Sequence, residues 1–596
     1  MTDRLSHRGP DGRGFFVDAS RKAGLGHRRL SIIDVEGGQQ PLWNEDRSIC
    51  AVVAGELYDF EAIRSELVSR GHRFATGSDS EIAVHLYEEL GLRFVERLRG
   101  EFSICLWDQR KEELVVVRDR FGVKPVFYAS HNGDLVVASE IKALLAAGVP
   151  ARWDHKALLS QLLLCLPQGS SLFDGVRQLE PGCLLRASAR GVTTIRYWDL
   201  DYPRIEDAPT AVDAETIFGR LREALDDAVR VRLRSDVPYG FFLSGGLDSS
   251  GVIGLARQHM SDPPQAFTVC FDGDSQMNEV DEAQATARYV GADFHPTPIN
   301  ESDLAGSFEA AVEFGEMVAL NGHAVARFIH SKVVRDAGCK VALSGSGADD
   351  LLGGYPALRQ DLLEFSGCSR YSAESPAVLG DVRRLLGFSP SWMRKLAIDR
   401  SLFFLLLGDQ LLDEFDRRNP YTDFVESSRI AEQLQGRHPV LQSAYLWDAA
   451  FLGNYELMAE RLEMACGLEV RLPYLDQKVF EVARSIPPEL LLRGNQEKYV
   501  LRRAIRPFIA DRIYRRRKHS FTAPLSLVDR RSELFTLFQD NIRSSYFARQ
   551  DLFRPHAVID FVERIDALPD KAKVAADCVM TILLSVSLLG STFGVS

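Results

Sequence analysis

A short apolar run that ends in a Ser-Gly-Gly turn constrains the fold of this 596-residue chain more than any other feature. Residues 241–243 are Phe-Phe-Leu, and the turn continues as Ser244-Gly245-Gly246-Leu247-Asp248-Ser249-Ser250 into a predicted helix. Two glycines lack the Cβ atoms that would hold backbone N–H groups away from phosphate oxygens, and a helix N-terminus favours an anion. The three serine hydroxyls can donate to the same anion. The pattern therefore predicts a pyrophosphate site rather than a plain strand-to-helix turn with a serine cap.

Strands and helices alternate on either side of this turn. Predicted strands cover residues 239–243, 266–271 and 340–343, and predicted helices cover 214–233, 279–290 and 324–337. This alternation predicts right-handed βαβ units around a parallel sheet, with ligands bound beyond the carboxyl ends of the strands. Residues 356–596 show mostly helical periodicity. We therefore expect an α/β domain over residues 214–596 with a helical C-terminal part.

The first 200 residues have a different pattern, with short β-rich segments divided by turn signals. Predicted strands cover residues 49–54, 102–107, 114–118 and 135–138, with a hairpin turn at residues 131–134 and one helix at 80–90. Short strands that pair through hairpins are typical of antiparallel sheets. We expect a layered α+β domain over residues 1–200, followed by a proline-containing linker over 201–213.

Composition narrows the function classes. The chain has 71 Lys+Arg against 83 Asp+Glu, a formal net charge of −12, which disfavours a nucleic-acid binder or an anionic-membrane binder. Nine scattered cysteines without a CxxC pair are typical of a reducing cytosol. No signal peptide is evident, and the uncharged residues 578–596 are interpreted as a buried helix in preference to a membrane span. We expect a cytoplasmic protein with small-molecule substrates. The sequence does not determine the oligomeric state, and a homodimer is one possibility.

A second glycine-rich turn follows the predicted strand 340–343. It reads Ser344-Gly345-Ser346-Gly347-Ala348-Asp349-Asp350. If both strands lie in one parallel sheet, Asp248 and Asp349 face each other across a cleft. Two carboxylates together with phosphate oxygens suit Mg²⁺, whereas the simpler alternative is a local hydrogen bond from each Asp to its own turn.

These strings resemble the glutamine-dependent asparagine synthetases over nearly the whole chain. The synthetase domain is identified by residues 244–250, residues 344–355 and Glu469-Val470-Arg471-Leu472-Pro473-Tyr474-Leu475-Asp476. The first domain resembles the family's class II glutaminase domain through His7-Arg8-Gly9-Pro10-Asp11-Gly12, residues 29–34, residues 55–58, Gly77-Ser78-Asp79 and residues 118–125. The resemblance implies an Ntn-type domain of layered antiparallel sheets, followed by an ATP-pyrophosphatase domain with a parallel sheet.

In that family ATP converts a carboxylate into an acyl-adenylate with release of pyrophosphate, and an amine then displaces AMP. The resemblance implies that Asp248 and Asp349 hold Mg²⁺ and that Lys498 neutralises charge at the reacting centre. The implied nucleotide-binding residues are Leu243, Ser244, Gly245, Gly246, Asp248, Ser249, Ser250, Ser344 and Gly345.

The glutaminase half departs from the family pattern in two ways. Family members start with a cysteine nucleophile, and this sequence has no cysteine before Cys50. The Asn of the family's oxyanion-hole Asn-Gly pair is replaced by Ala54, which has no side-chain donor. We expect glutamine hydrolysis to be lost, which leaves a vestigial glutamine site. Its residues are Arg29, Gly55, Glu56 and Asp79.

The amine side departs as well, because Ser346 stands where the family has Glu. A serine cannot hold an ammonium or act as a base at neutral pH, and Asp350 is the candidate replacement. A similar pattern of loss occurs in the β-lactam synthetases and related natural-product enzymes, which use an amine already present on a substrate. The leading hypothesis is therefore an ATP- and Mg²⁺-dependent amide ligase. The alternatives are a glutamine-dependent asparagine synthetase whose N-terminus is incomplete here and a non-catalytic ATP-binding scaffold.

Overall fold

The computed structural model describes residues 1–207, 213–271, 278–365, 375–456, 458–493, 496–517 and 527–595. Its first domain contains a six-stranded antiparallel sheet of order β11-β10-β6-β5-β4-β3, a three-stranded sheet β8-β7-β9 and the pair β1-β2. The strands are β1 (Gly12–Val17), β2 (Gly24–Arg29), β3 (Leu42–Trp43), β4 (Ile49–Leu57), β5 (Gly100–Asp108), β6 (Glu113–Arg118), β7 (Phe127–His131), β8 (Asp134–Ala138), β9 (Val176–Gln178), β10 (Cys183–Ser188) and β11 (Gly191–Arg196). Its helices are α1 (Phe60–Ser69), α2 (Ile82–Leu90), α3 (Ile141–Leu145) and α4 (His155–Leu162).

The predicted elements of this domain are present. The four predicted strands lie inside β4, β5, β6 and β8, and the turn between β7 and β8 has Asn132 and Gly133 at positive φ. Asn and Gly are the residues that adopt this conformation at least cost. The predicted helix at 80–90 begins as a 3₁₀ turn over Asp79–Glu81 and continues as α2.

The second domain is built on a five-stranded sheet in which every pair is parallel. Its strands are β12 (Tyr239–Phe242), β13 (Gln265–Phe271), β14 (Asp293–Ile299), β15 (Val341–Leu343) and β16 (Glu469–Arg471), in the order β14-β13-β12-β15-β16. The sheet therefore contains the three predicted strands and two that the sequence analysis missed. The strands before the two glycine-rich turns, β12 and β15, are direct neighbours with Phe241 opposite Leu343.

The helices of the second domain flank the sheet and make up most of the C-terminal half, as predicted. They are α5 (Ala214–Arg232), α6 (Leu247–Ala256), α7 (Val280–Val290), α8 (Glu301–Gly315), α9 (His323–Asp336), α10 (Ala348–Leu352), α11 (Pro356–Phe365), α12 (Gly380–Leu386), α13 (Ser391–Asp399), α14 (Phe403–Leu406), α15 (Asp409–Arg417), α16 (Pro420–Ser427), α17 (Pro439–Trp447), α18 (Ala459–Ala465), α19 (Gln477–Ala483), α20 (Pro488–Leu491), α21 (Tyr499–Ala504), α22 (Asp511–Arg515), α23 (Glu533–Ile542), α24 (Ser545–Arg549), α25 (Pro555–Glu563) and α26 (Asp570–Phe593). A π-helix follows α17 over Asp448–Glu456, and a short hairpin, β17 (Leu492–Arg493) with β18 (Gln496–Glu497), precedes α21.

The terminal helix α26 is long and apolar enough to cross a membrane, but it is packed inside the protein. Of its most apolar 18-residue window, 78% is buried. It packs against α8, α23 and α24. The apolar residues near the C-terminus therefore form a core helix in this structure, as the sequence analysis favoured.

Buried ion pairs join the two domains. Arg232 of α5 donates to Glu101 Oε1 at 2.9 Å and to Asp476 Oδ2 at 2.8 Å. Arg471 of β16 lies 2.8 Å from Glu56 Oε1 in the first domain. Residues 208–212 of the predicted linker lie outside the described residues, and the domain boundaries stay a prediction.

Candidate active site

The two glycine-rich turns meet at the carboxyl ends of β12 and β15, where they line a cavity of about 500 Å³. Parallel neighbouring strands end at the same edge of a sheet, so their following turns face the same space. Of the sequence-predicted site residues, the cavity wall includes Leu243, Ser244, Gly246, Asp248, Ser249, Ser344, Gly345, Ser346, Asp349, Asp350 and Lys498. The fold therefore brings most of the predicted residues into one site.

The first turn is held open by its own hydrogen bonds. Ser244 N donates to Ser249 Oγ at 3.1 Å, and Gly246 N approaches Ser244 Oγ at 3.3 Å. Gly245 has φ +73°, and a Cβ there would lie 2.5 Å from the backbone N of Ala283. Only glycine fits that position. Arg516 donates to Gly245 O at 2.9 Å and adds a positive charge beside the turn.

Ser250 differs from the expectation that its hydroxyl faces the anion. The residue is fully buried, and its Oγ is 3.0 Å from Thr286 Oγ1 on α7. It stands on the face of α6 that packs against α7, so its hydroxyl bridges two helices. The predicted hydroxyl donors at the turn are therefore reduced to Ser244 and Ser249.

The second turn packs directly on the first. A Cβ on Gly345 would lie 2.7 Å from the backbone N of Ser249, so glycine permits this contact. The hydroxyls of Ser344 and Ser346 lie 3.2 Å apart at the cavity wall. Ser346 thus contributes a neutral hydroxyl where the family string has a carboxylate.

Lys498 joins the two turns through its ammonium group. Its Nζ donates to Asp248 Oδ2 at 2.6 Å and lies 2.5 Å from Asp349 Oδ1. The lysine side chain is 2% exposed, so its charge is held inside the protein. Asp248 lies in the first turn of α6, Asp349 in α10, and Lys498 immediately before α21. Three separated segments therefore converge on one buried charge cluster.

Backbone conformation makes this convergence possible. Lys498 has φ +51°, a left-handed conformation that is uncommon for a side chain of this size and is enriched at functional sites. A Cβ on Gly354 would lie 1.8 Å from Asp349 Oδ1 and 2.0 Å from Lys498 Cε. Because residue 354 is a glycine and has no Cβ, the end of the Lys498 side chain can occupy this space.

The site has the donors that a hard divalent cation prefers. Asp248 Oδ1 is buried and has no hydrogen-bond partner within the described part of the chain. A buried carboxylate oxygen without a partner is costly unless a cation or water satisfies it. Asp248 and Asp349 supply oxygens at the mouth of the phosphate turn, and this set fits Mg²⁺, which usually takes one or two carboxylates with substrate phosphates.

Asp350 lies behind this cluster and is 2% exposed. Neither of its carboxylate oxygens has a hydrogen-bond partner among the described residues. Burial, with the nearby negative charges of Glu456 and Asp349, raises its pKa to about 8. Asp448 of the π-helix is also buried, and burial together with Asp350 raises its pKa well above the usual range. Burial thus favours the protonated form of both carboxyl groups.

On the wall that faces this cluster, the sequence analysis expected substrate contacts from the loops around residues 317–323 and 460–469, and Met317, His323 and Leu462 line the cavity. Arg327, His330 and Glu456 were missed, because they are far apart in the chain and carry no motif. Arg327 of α9 is bonded to Glu456 at 3.0 Å and to Glu463 at 2.6 Å. Burial lowers the pKa of His323 to about 4 and that of His330 to about 3, so both rings are neutral. These residues could have been found in the sequence as polar side chains on α9, the helix that faces the carboxyl ends of the strands.

A second cavity of about 380 Å³ in the first domain contains the predicted vestigial glutamine site. Arg29, Gly55, Glu56 and Asp79 all line it, together with Ala54 of β4. Asp79 Oδ2 accepts from Leu57 N at 2.8 Å, and burial raises its pKa to about 6. The predicted residues are therefore gathered in one place.

Comparisons with known proteins agree with this two-domain site geometry. The model of the asparagine synthase family matches residues 220–588, and that of the glutamine amidotransferase domain matches residues 1–198. "Amidase chyE" of Penicillium rubens is 33% identical over 576 residues, covering 88% of this chain and 84% of that protein. "Amidase chry2" of Gibberella zeae is 32% identical over 573 residues, with the same coverage. "Asparagine synthetase [glutamine-hydrolyzing] 1" of Bacillus subtilis is 32% identical over 543 residues, covering 88% of this chain and 83% of that protein.

The family model spans most of the chain, and the relatives are matched over most of their own length. Both findings agree with a glycine-rich turn beside a lysine–carboxylate cluster at the carboxyl ends of the sheet. The chain therefore belongs to the asparagine synthase family of ATP-dependent, AMP-forming carbon–nitrogen ligases, and it carries a glutamine amidotransferase-type domain ahead of the synthase domain.

Proposed function

We propose that this protein uses ATP and Mg²⁺ to activate a substrate carboxylate as an acyl-adenylate, and that it transfers the acyl group to ammonia or an organic amine without hydrolysing glutamine. The observation that carries the proposal is the buried Lys498 ammonium between Asp248 and Asp349 at the phosphate turn. A carboxylate oxygen is a poor leaving group, whereas AMP is a good one, so activation at such a site makes the amide step possible.

The residues of the site are proposed to have different roles according to their charge. The turn that contains Ser244, Gly246 and Ser249 binds the pyrophosphate end of the nucleotide, and Asp248 with Asp349 holds Mg²⁺. The metal would offset phosphate charge when bound. Lys498 stabilises the negative charge that builds up as the carboxylate attacks phosphorus, and one buried, aimed donor of this kind is worth several kcal/mol.

Asp350 is proposed to accept the proton that the amine loses during amide formation. A base works best when its pKa lies near the operating pH, and burial places the pKa of Asp350 at about 8, so that the ionised fraction present near neutral pH is the form that takes the proton. Ser346 beside it can accept or donate a hydrogen bond but cannot take the proton. This assignment gives Ser346 and Asp350 distinct roles.

The cavity wall beyond Asp350 supports an apolar or aromatic body on the substrate. It is lined by Met317, Leu320, Phe451 and Tyr455. Aspartate carries three charged groups, and Arg327, a cation of this wall, is already paired with two glutamates. A carboxylate on an apolar or aromatic skeleton therefore fits the wall better than aspartate does.

Loss of glutamine hydrolysis is supported by the environment of the first-domain cavity. Ala54 replaces a side-chain donor of the oxyanion hole, and loss of one such donor lowers turnover by about 10²–10³. Arg29 donates to the backbone oxygens of Ile33, Asp34 and Val35. Glu56 is paired with Arg471 of the other domain. Both residues have structural roles that persist without glutamine chemistry.

A screen for AMP release tests the proposal. The native-length protein is given ATP, Mg²⁺ and a panel of carboxylates, with ammonia, glutamine or organic amines as nitrogen donors. We expect carboxylate-dependent AMP formation that is strongest with apolar or aromatic acids and with ammonia or a free amine. Aspartate as the sole accepted acid, with glutamate released from glutamine, would support an asparagine synthetase instead. Absence of AMP release with every acid in the panel would support the scaffold alternative.

A further inference from the structure

A cluster of two histidines and two glutamates lies in the first domain, outside both cavities. It consists of Glu45, His72, His85 and Glu88, and one potential ligand atom from each lies within 4.8 Å of all the others. Glu45 stands between β3 and β4, His72 follows α1, and His85 and Glu88 lie on α2. Positions i and i+3 of a helix share one face, so α2 presents two of the four side chains together.

The His85 side chain is buried without the partners it needs, and one oxygen of the partly exposed Glu88 is buried in the same way. The His85 side chain is 0% exposed, and neither ring nitrogen has a hydrogen-bond partner in the described part of the chain. Its nearest carboxylate oxygens are at 3.5 Å on Glu45 and 3.6 Å on Glu81, beyond ordinary hydrogen-bond length. Glu88 Oε2 is likewise buried and unpartnered among the described residues. Such groups are costly unless something satisfies them.

The orientation of the two imidazoles matches that of metal-binding histidines. Each ring turns its Nδ1 toward Glu45, at 3.1 Å for His72 and 3.5 Å for His85. Each turns its Nε2 toward a different carboxylate, Glu89 at 3.1 Å and Glu81 at 3.6 Å respectively. A ligating histidine usually donates its second ring N–H to a carboxylate, which fixes the tautomer and the ring orientation.

We propose that Glu45, His72, His85 and Glu88 bind one Zn²⁺ through the two Nδ1 atoms and two carboxylate oxygens. Mixed nitrogen and oxygen donors suit zinc, whereas Mg²⁺ and Ca²⁺ prefer oxygen-only sets. Zinc bonds of ~2.0–2.1 Å place tetrahedral ligands roughly 3.3 Å apart, so small side-chain rotations complete the site. Asn44 Nδ2, which donates to Glu88 Oε1 at 3.1 Å, orients the fourth ligand.

The ion would tie three chain segments together next to the first-domain cavity. Glu81, the outer partner of His85, also accepts from Ala75 N and Thr76 N, and Asp79 precedes it in the same turn. A metal at this point would fix the segment that carries Asp79. The competing arrangement is a protonated His85 held between Glu45 and Glu81 without any metal.

Zinc binding to the full chain tests the proposal with ZnCl₂ as the probe. The protein is stripped with a chelator, dialysed against buffered zinc and analysed for bound metal, in an Asp248→Asn background that removes the nucleotide-site carboxylate. We expect one zinc per chain, an unfolding temperature raised by zinc, and an X-ray absorption edge that shows two imidazoles in an all-nitrogen-and-oxygen shell.

Two variants and a control make the test specific. His72→Gln and Glu88→Gln should each weaken zinc binding by more than about 10-fold, since removing even an outer partner costs that much. The exposed His556 on α25 provides the control, and His556→Gln should bind zinc as the parent does. Either variant alone decides the question if the other fails to fold. Absence of stoichiometric zinc in the parent, or unchanged zinc affinity in a folded variant, would overturn the proposal.

Discussion

Lys498 carries a buried positive charge between two carboxylates that belong to different turns of the sheet. Its Nζ is 2.6 Å from Asp248 and 2.5 Å from Asp349. In this arrangement the lysine offsets the charge of the two acids, and in the proposed function the same ammonium acts where phosphate and carboxylate charges meet. Family resemblance identified these three residues from the sequence, but the distances between them could be obtained only from the folded structure.

Replacing Lys498 by methionine should lower kcat by about 10²–10³ with a smaller change in KM for ATP. The reason is that the ammonium is proposed to act mainly on charge that develops during the reaction. Steady-state kinetics of AMP formation measure both constants. The exposed Lys395 on α13, replaced in the same way, should leave them unchanged. A kcat equal to that of the parent in Lys498→Met would contradict the proposed role.

The buried carboxyl of Asp350 should make folding stability depend on pH. Its pKa in the folded protein is about 8, against 3.8 for the unfolded chain. The folded state therefore holds the proton more tightly, so this stabilising contribution is complete below about pH 4 and is lost as pH rises to about 8. Asp350→Asn removes this contribution, whereas that of the buried Asp448 stays in both proteins.

We expect Asp350→Asn to be more stable than the parent by a few kcal/mol at about pH 8.5 and nearly equal to it at about pH 4. Urea unfolding of both proteins at the two pH values measures this difference. The exposed Asp381 on α12 provides a control, since Asp381→Asn should show no such widening gap. A gap that stays constant with pH would show that Asp350 is ionised in the folded protein.

At the scale of elements, the site is made by neighbouring strands and by glycines that let their turns touch. The strand–helix alternation predicted a parallel sheet of the kind in which β12 lies beside β15. The missed strands have physical explanations. β14 contains Pro296 and Pro298, which lack N–H donors and argue against a strand, yet it lies at a sheet edge where prolines are tolerated. β16 is only three residues long and includes Glu469 and Arg471, whose charges are paired across the domain interface.

The contact between α10 and the segment before α21 depends on Gly354. Gly354→Ala should lower turnover about as strongly as Lys498→Met, because its Cβ would occupy the space of the Lys498 side chain. The unfolding temperature should change little, since the clashing atoms are side-chain ends that can rotate. Gly306→Ala in α8 is the matched control, because no atom lies within 4 Å of the added Cβ. Full activity in Gly354→Ala would argue against this packing.

At the scale of the whole molecule, the two domains are joined by ion pairs that are almost completely buried. Arg471 is 0% exposed, contacts Glu56 of the first domain at 2.8 Å and donates to the backbone oxygens of Arg232 and Arg234. The family string that contains Arg471 was recognisable in the sequence, but composition and periodicity carried no sign of this interface role. The sequence could not reveal it because Arg471 and Glu56 lie more than 400 residues apart in the chain.

Removing one partner of this interface should destabilise the protein strongly. Arg471→Met removes the cation paired with Glu56 and leaves Glu469 with Lys124 alone, and breaking a buried pair of this kind costs on the order of 3–5 kcal/mol. The double variant Arg471→Met/Glu56→Gln should recover part of that loss, because one uncompensated charge is then removed. Urea unfolding of the parent, single and double variants measures the effect. Equal stability of the single variant and the parent would contradict the assigned pairing.

In the proposed function, one site built from Asp248, Asp349 and Lys498 forms an acyl-adenylate. Exchange of labelled pyrophosphate into ATP, measured over a panel of carboxylates, tests it most directly, because exchange requires reversible adenylation and no amine. We predict exchange only when an accepted carboxylate is present, and its loss in Asp248→Asn and Asp349→Asn variants that remain folded. Absence of exchange with every carboxylate, or exchange that persists in both variants, would contradict the claim.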